Sequence, residues 1–337
     1  MPAPPKVSFL ITCFNLGQYL DEAVESVLAQ TLDDYEILII DDGSTDEDTR
    51  SLIDGYTKPK TQVFRTENRG LAAARNFLIA RARGTYLSAL DADDTLHPHF
   101  LEKCVGPLEV DPALTFVSTH LRMFGDETRL WPDDDRCDLV TLLCEDTVIT
   151  PALVRRSAVV EAGGYDESMP HQGDEDWELW LRVLARGGRG ITLPDVLFNY
   201  RRRRGSMCDQ CTAPPTHLEL FEYMVRKHGD TYRQHMVPVL LRKEERIARL
   251  RRQNVGLETT RARLESALDA RRTRLRLLRE KLQAVSAARA EIEEPELRRE
   301  LRRMADEATA LRSSWSWRVT TPLRWGYDLL RRGRGDQ

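Results

Sequence analysis

The sequence predicts an α/β fold, a mainly parallel, doubly wound sheet flanked by helices, followed by a long α-helical coiled coil. Three observations predict it. Strand-length apolar runs alternate with helix-length segments through the first 130 residues, two of those runs close on clusters of carboxylates, and a heptad pattern begins at Ile247.

Taken in order, the elements are a strand at Val7–Ile11, a helix from about Gly17 to Leu28, a strand at Ile37–Ile40 and a helix near Thr45–Tyr56. A strand at Thr61–Arg65, a helix near Leu71–Arg83 and a strand at Tyr86–Leu90 follow. Runs such as Tyr35-Glu36-Ile37-Leu38-Ile39-Ile40 suit strands covered on both faces, as in a parallel sheet. In Asn68-Arg69-Gly70-Leu71-Ala72-Ala73-Ala74-Arg75-Asn76 the small side chains allow close packing on the sheet, and the free amides of the first turn suit an anion. After Asp94 the pattern loosens at Pro98, Pro107 and Pro112, with a strand at Thr115–Thr119 and an acidic loop at Asp133-Asp134-Asp135 that reads as a substrate-specific loop. Trp177–Ala185 is an amphipathic helix with Trp177, Trp180, Leu181 and Leu184 on its apolar side, ending at Gly187-Gly188.

One heptad seam holds Ile247, Asn254, Arg261, Leu268, Leu275, Leu282 and Arg289; the other holds Leu250, Leu257, Leu264, Arg271, Leu278, Val285 and Ile292. Polar residues at four of these 14 positions lower stability but fix register and partner number. A single solvated helix is the alternative. Pro295 interrupts the seam, and Leu297, Leu301, Met304, Ala308 and Leu311 restart it in a shifted phase. Beyond it, Trp315, Trp317 and Trp325 interleave with Arg318, Arg324, Arg331, Arg332 and Arg334, a composition that suits either a membrane headgroup layer or packing on the coil or the first domain. The division is therefore 1–230, 231–312 with a break near Pro295, and 313–337.

With 41% hydrophobic and 31% charged residues the 337-residue chain is not a disordered polymer. Its net charge of −4 hides a split, because residues 1–238 carry 25 Lys+Arg against 39 Asp+Glu and residues 239–337 carry 25 against 15. Excess acid fits a cation site, and excess base fits an anionic surface. No secretory signal is readable before Val7, and no segment reaches the roughly 18–20 apolar residues of a membrane span. The expected location is the cytoplasm, possibly at the inner face of the membrane. Six irregularly spaced cysteines predict free thiols, and Cys208 with Cys211 lacks the two further ligands a zinc site needs.

The chemistry centres on acids. Asp91-Ala92-Asp93 puts two carboxylates at a strand end, where both can turn to one hard cation, Mn2+ or Mg2+, that keeps positions open for diphosphate oxygens. Asp41-Asp42-Gly43-Ser44 closes another strand. Gly173-Asp174-Glu175-Asp176 precedes the tryptophan helix, either as a source of a base or only as negative charge at a helix start.

Six ordered stretches resemble an inverting glycosyltransferase of family 2: Val7–Asn15, Ile40–Asp46, Glu67–Asn76, Asp91–Asp94, Glu175-Asp176-Trp177 and Tyr200-Arg201. The resemblance covers the first 210 residues or so and implies the GT-A fold, a Rossmann-like, mixed but mainly parallel sheet. It implies that Thr12 and Asp42 contact the nucleobase, Asp91 the ribose and metal, Asp93 the metal, and Arg75 the sugar ring or diphosphate; Asn15 and Asp41 complete the substrate-binding set. Displacing a nucleoside diphosphate builds oxocarbenium-like charge on the sugar, a cation at Asp93 stabilises the leaving group, and the acceptor hydroxyl needs a base. The acidic pair before Trp makes Asp176 that base, with Glu175 positioning hydroxyls. Arg203 stands where many relatives carry His; its guanidinium suits a diphosphate but cannot act as an imidazole ligand. His97 and His99 are left outside the site.

The reading is a metal-dependent inverting transferase that moves sugar from a nucleotide-sugar donor to an acceptor hydroxyl. The expected acceptor is a glycan or lipid-linked saccharide in bacterial surface-polysaccharide synthesis. A homo-oligomer through the coil and a peripheral membrane contact are expected, and nucleic acid is not. The alternative is a non-catalytic nucleotide-sugar-binding scaffold that recruits assembly enzymes through its coil.

Overall fold

The computed structural model describes residues 3–131, 135–289 and 295–313. The chain divides into two compact units, Met1–Arg246 and Ile247–Gln337.

The first unit opens with β1 (Val7–Cys13), α1 (Gly17–Leu28), β2 (Tyr35–Asp41), α2 (Glu47–Asp54), β3 (Thr61–Arg65), α3 (Leu71–Ile79) and β4 (Tyr86–Asp91). Every residue of β1 and β2 is buried, so these strands need cover on both faces. They pair in parallel, β1 with β2 and β4, and β2 with β3. Then come β5 (Thr95–Leu96), α4 (Phe100–Val110), β6 (Phe116–Gly125), β7 (Arg129–Trp131), α5 (Leu139–Leu142), β8 (Leu153–Arg155) and α6 (Arg156–Ala162). The unit continues with α7 (Glu175–Ala185), β9 (Gly190–Arg202), α8 (Met207–Cys211), α9 (Pro214–Lys227) and α10 (Gly229–Gln234).

The sheet runs β3-β2-β1-β4-β8-β6-β9-β5, with β7 on β6. It is mixed, because β8 lies antiparallel between β4 and β6, whereas β6 and β9 are parallel. Gly190 begins β9 against the Phe116 ring, and a Cβ there would lie 2.1 Å from a ring carbon. Pro107 sits inside α4 rather than ending it, at the cost of the bond its nitrogen would have donated. Trp177, Trp180, Leu181 and Leu184 are all buried, Trp180 against Phe116 at 4.9 Å between ring centres. Tyr200–Arg202 is the end of β9; the turn follows it.

Helix α11 (Met236–Arg289) starts within the first unit, where Val239 and Arg242 are buried and Lys243 Nζ donates to the Cys144 carbonyl at 3.3 Å. In the second unit Ile247, Leu250, Leu257 and Leu264 are 41–68% exposed, whereas Leu268, Leu275, Leu278 and Val285 are half-buried. On α12 (Pro295–Ser313) Leu301, Met304 and Ala308 are half-buried as well. Asp133, Asp134, Ile292 and the Trp/Arg tail lie outside the described residues. Among the described residues no helix is long and apolar enough to cross a membrane. All six cysteines are free.

Candidate active site

Parallel pairing aligns Thr12 with Asp91 and Cys13 with Asp41, so the carboxyl ends of three neighbouring strands deliver these side chains to one edge of the sheet. Behind that edge the first acidic cluster is spent on backbone. Asp41 Oδ1 accepts from the Ser44 amide at 2.9 Å and its Oδ2 from Arg65 Nε at 3.2 Å. Asp42 accepts the amides of Arg69 and Gly70 at 3.0 and 2.9 Å, which fixes the entry to α3, and burial raises its carboxyl above the usual range. Gly43 takes a φ of +73° there, where a Cβ would come within 2.5 Å of the Asn68 nitrogen. Asn15 Oδ1 accepts the amides of Thr45 and Asp46.

Arg75, on the first turns of α3, is 1% exposed. Its Nη2 donates to Asp91 Oδ1 at 3.0 Å and its Nη1 to Asp176 Oδ2 at 2.9 Å, while its Nε has no partner. Both terminal nitrogens of this residue, which the resemblance assigns to the sugar or diphosphate, are therefore held by carboxylates. Thr12 Oγ1 donates to the same Asp91 oxygen at 2.9 Å. One guanidinium thus joins the D-x-D strand end to the acidic start of α7.

Asp176 accepts three donors, Tyr165 Oη at 2.9 Å on Oδ1, and Thr150 Oγ1 at 3.0 Å together with Arg75 on Oδ2. Burial and the adjacent Asp176 hold the Tyr165 hydroxyl protonated, well above its ordinary range. Tyr165 is pinned in turn by Asn76, whose amide side chain bonds both its N–H, at 2.7 Å, and its C=O, at 2.9 Å. Glu175 is 2% exposed; its Oε2 accepts the Gly173 amide at 2.9 Å, and its Oε1 has no partner. Burial pushes the Glu175 carboxyl up to about 7 against the pull of Arg75. Gly173, at φ +134°, packs on Cys211, and a Cβ there would lie 2.3 Å from the Cys211 Cβ.

Asp93 Oδ2 receives Arg203 Nε at 2.9 Å and Nη2 at 2.6 Å. Burial and the like charge of Asp91 push the Asp93 carboxyl up, against the guanidinium that lowers it. Asp94, fully buried, accepts the Arg201 amide at 2.7 Å, and desolvation raises it far above the carboxylate range. Hydrogen bonds therefore link Thr12, Asp91, Arg75 and Asp176; Asp93 with Arg203, and Glu175, are charged neighbours of that network; and Asn15, Asp41 and Asp42 hold the loop amides of 44–46 and 69–70. Sequence reasoning missed Tyr165, Thr150 and Asp94. The pair Gly163-Gly164 before Tyr165, at φ +91° and +74°, was a readable sign of a special turn.

Two hard carboxylates fit a divalent oxygen-seeking ion that takes its other ligands from water and phosphate. Asp91 Oδ1 and Asp93 Oδ2 are engaged, which leaves the second oxygen of each for such an ion. Among the described residues no group of three or more His, Cys, Asp or Glu could hold a metal alone.

A family described as glycosyl transferase family 2 matches residues 8–159, and one described as glycosyltransferase like family 2 matches residues 137–223. The putative glycosyltransferase EpsE of Bacillus subtilis (strain 168) is 30% identical over 211 residues, 60% of this chain and 74% of EpsE. The chondroitin synthase of Escherichia coli is 34% identical over 189 residues, 54% of this chain but 27% of that protein. Staphylococcal TarS 1–349, solved in complex with UDP-GlcNAc, superposes with a TM-score of 0.53 at 16% identity over 65% of this chain and 66% of that one, which shows a shared GT-A-like fold. The ordered carboxylates, the mixed sheet that carries them and the match to EpsE lead to one conclusion: the chain belongs to glycosyltransferase family 2.

Proposed function

We propose that the protein is a metal-dependent, inverting glycosyltransferase that moves a sugar from a nucleotide-sugar donor to an acceptor hydroxyl of a glycan or lipid-linked saccharide. The observation that carries this reading is Arg75, whose two terminal nitrogens hold Asp91 and Asp176 at one buried guanidinium. Single displacement needs such a pairing, with leaving-group chemistry at one end and a proton acceptor at the other. The UDP-GlcNAc complex of TarS supports a nucleotide-sugar donor, and the chondroitin synthase relative supports a polysaccharide product.

Asp91 and Asp93 would hold Mn2+ or Mg2+. Such an ion offsets negative charge on the leaving diphosphate. Thr12 and Asp42 would contact the base of the donor, Asp91 its ribose, and Arg203 would bind the diphosphate. Asp176 takes the acceptor proton, its carboxylate aimed by Tyr165 and Thr150. Glu175 is the second reading for the base, favoured by its partnerless oxygen and its carboxyl near 7.

The exposed Leu250, Leu257 and Leu264 support a coiled coil with a second copy of the chain, as a module distinct from the transferase domain. A basic C-terminal third supports a site of action at the inner face of the membrane.

Release of nucleoside diphosphate from a panel of donors with Mn2+ and saccharide acceptors tests the activity, and NMR of the product's anomeric carbon tests inversion. No release with any donor favours the non-catalytic scaffold; retention of configuration overturns the single displacement.

A further inference from the structure

Four arginines in a row, Arg201 to Arg204, run from the end of β9 into the turn after it, and three of them have different surroundings. Arg201 is locked, with Nη2 on Glu22 at 2.5 Å, Nε on the Asp93 carbonyl at 2.9 Å, and its guanidinium over Tyr19 and Phe124. Arg202 pairs with Asp209 at 2.7 Å and with Glu127. Arg203 differs, because Asp93 is its ion-pair partner and both contacts fall on a single oxygen, Oδ2. Its side chain is 32% exposed, while that of Asp93 is 13% exposed. The backbone that carries it is a turn, closed by the Ser206 amide on the Arg203 carbonyl at 3.2 Å and followed by Gly205 at φ +73° with open space around it.

A carboxylate so little exposed needs a counter-charge. A guanidinium supplies it here. Building on the proposed metal site, we infer that Arg203 is an internal cation for Asp93, one whose charge opposes a divalent ion at the other carboxylate oxygen and that a diphosphate draws away. Metal and diphosphate then bind cooperatively. Alone, a divalent ion competes with a fixed positive charge for the Asp93 carboxylate. With a diphosphate present, the guanidinium has two phosphoryl groups to bridge in its bidentate geometry, and Asp93 is released to the ion. The coupling is reciprocal, so the ion strengthens diphosphate binding by the same factor.

The test is a titration of the full chain with Mn2+, followed by the EPR signal of the free ion, alone and with UDP or GDP, and corrected for the ion–nucleotide complex in protein-free controls. The variants are Arg203→Ala, Arg203→Lys and Asp93→Asn, with melting curves to establish folding. Arg203→Ala is expected to bind Mn2+ alone ~10-fold more tightly than the natural chain and to lose a similar factor of the nucleotide-induced gain, with Arg203→Lys between the two. If Asp93→Asn abolishes Mn2+ binding while both Arg203 variants bind it no more tightly than the natural chain, the competition is overturned and the metal site stands. If Asp93→Asn binds Mn2+ as the natural chain does, or no protein binds it even with nucleotide, the metal site falls and the inference with it.

Discussion

Arg75 Nη1 lies 2.9 Å from Asp176 Oδ2, a contact across 101 positions of sequence between the first turns of α3 and the first turn of α7. Burial disfavours the charge of this guanidinium, and Asp176 and Asp91 outweigh it, holding it well above its already high ordinary range. Asp176 is therefore aimed by a residue that also touches the D-x-D strand. Arg75→Lys keeps the charge but cannot bridge both acids, so turnover should fall at least ~100-fold with the fold retained. Arg75→Ala should in addition lose about 3–5 kcal/mol of stability, since it leaves buried charge unpaired. Urea denaturation beside donor turnover checks both.

Asp176→Asn should lower kcat by ~10²–10⁴-fold, the effect of removing a general base, and should lower the melting temperature as well, since buried Arg75 loses one of its two counter-charges. Glu175→Gln serves as the comparison. A larger loss in Glu175→Gln than in Asp176→Asn would move the base to Glu175.

Gly173→Ala forces a side chain onto Cys211 at a backbone angle that L-residues avoid. The Gly173 amide also holds Glu175 Oε2. Both kcat and the melting temperature should drop, and Cys211→Ala combined with Gly173→Ala should recover part of the stability but less of the rate. Full recovery of the rate would show that the acidic loop tolerates displacement.

Glu178 lies fully buried on α7 among Arg182, Lys227 and His228, which hold its carboxyl down to about 2. A depressed carboxylate contributes stability that is complete above its unfolded pKa near 4.5 and is lost as pH falls toward 2. The melting temperature should fall through that window. Glu178→Gln should flatten the fall and lower stability at pH 7 by roughly 3 kcal/mol. Thermal melts from pH 7 to pH 3 measure it.

Truncation after Arg246 should leave donor turnover measurable and reduce the oligomeric mass in light scattering to that of one transferase unit. Leu250→Lys with Leu257→Lys in the full chain should do the same to the assembly. An unchanged oligomer number in both cases removes the coil as the assembly element.

The parallel half of the sheet was legible because β1 and β2 are buried on both faces and so read as unbroken apolar runs. Strands β7 and β8 were not, because three residues show no period. Strand β9 was hidden by Pro194 within it and by the arginines at its end, which read as loop. At the site, the type and order of the acids were visible, since a cation and a base require carboxylates. What each acid touches was not visible. Side-chain oxygens of Asp41, Asp42 and Asn15 accept backbone amides, contacts that residue type alone does not announce. The Arg203–Asp93 pair joins positions 110 apart, a separation that no local pattern encodes.

Helix α8 begins only four residues after Arg203 and ends at Cys211, whose side chain is wedged beneath Gly173. The arginine turn and the acidic loop are thus joined through a single small helix. A displacement of that turn would therefore reach the backbone from which Glu175 and Asp176 project through the Cys211–Gly173 contact.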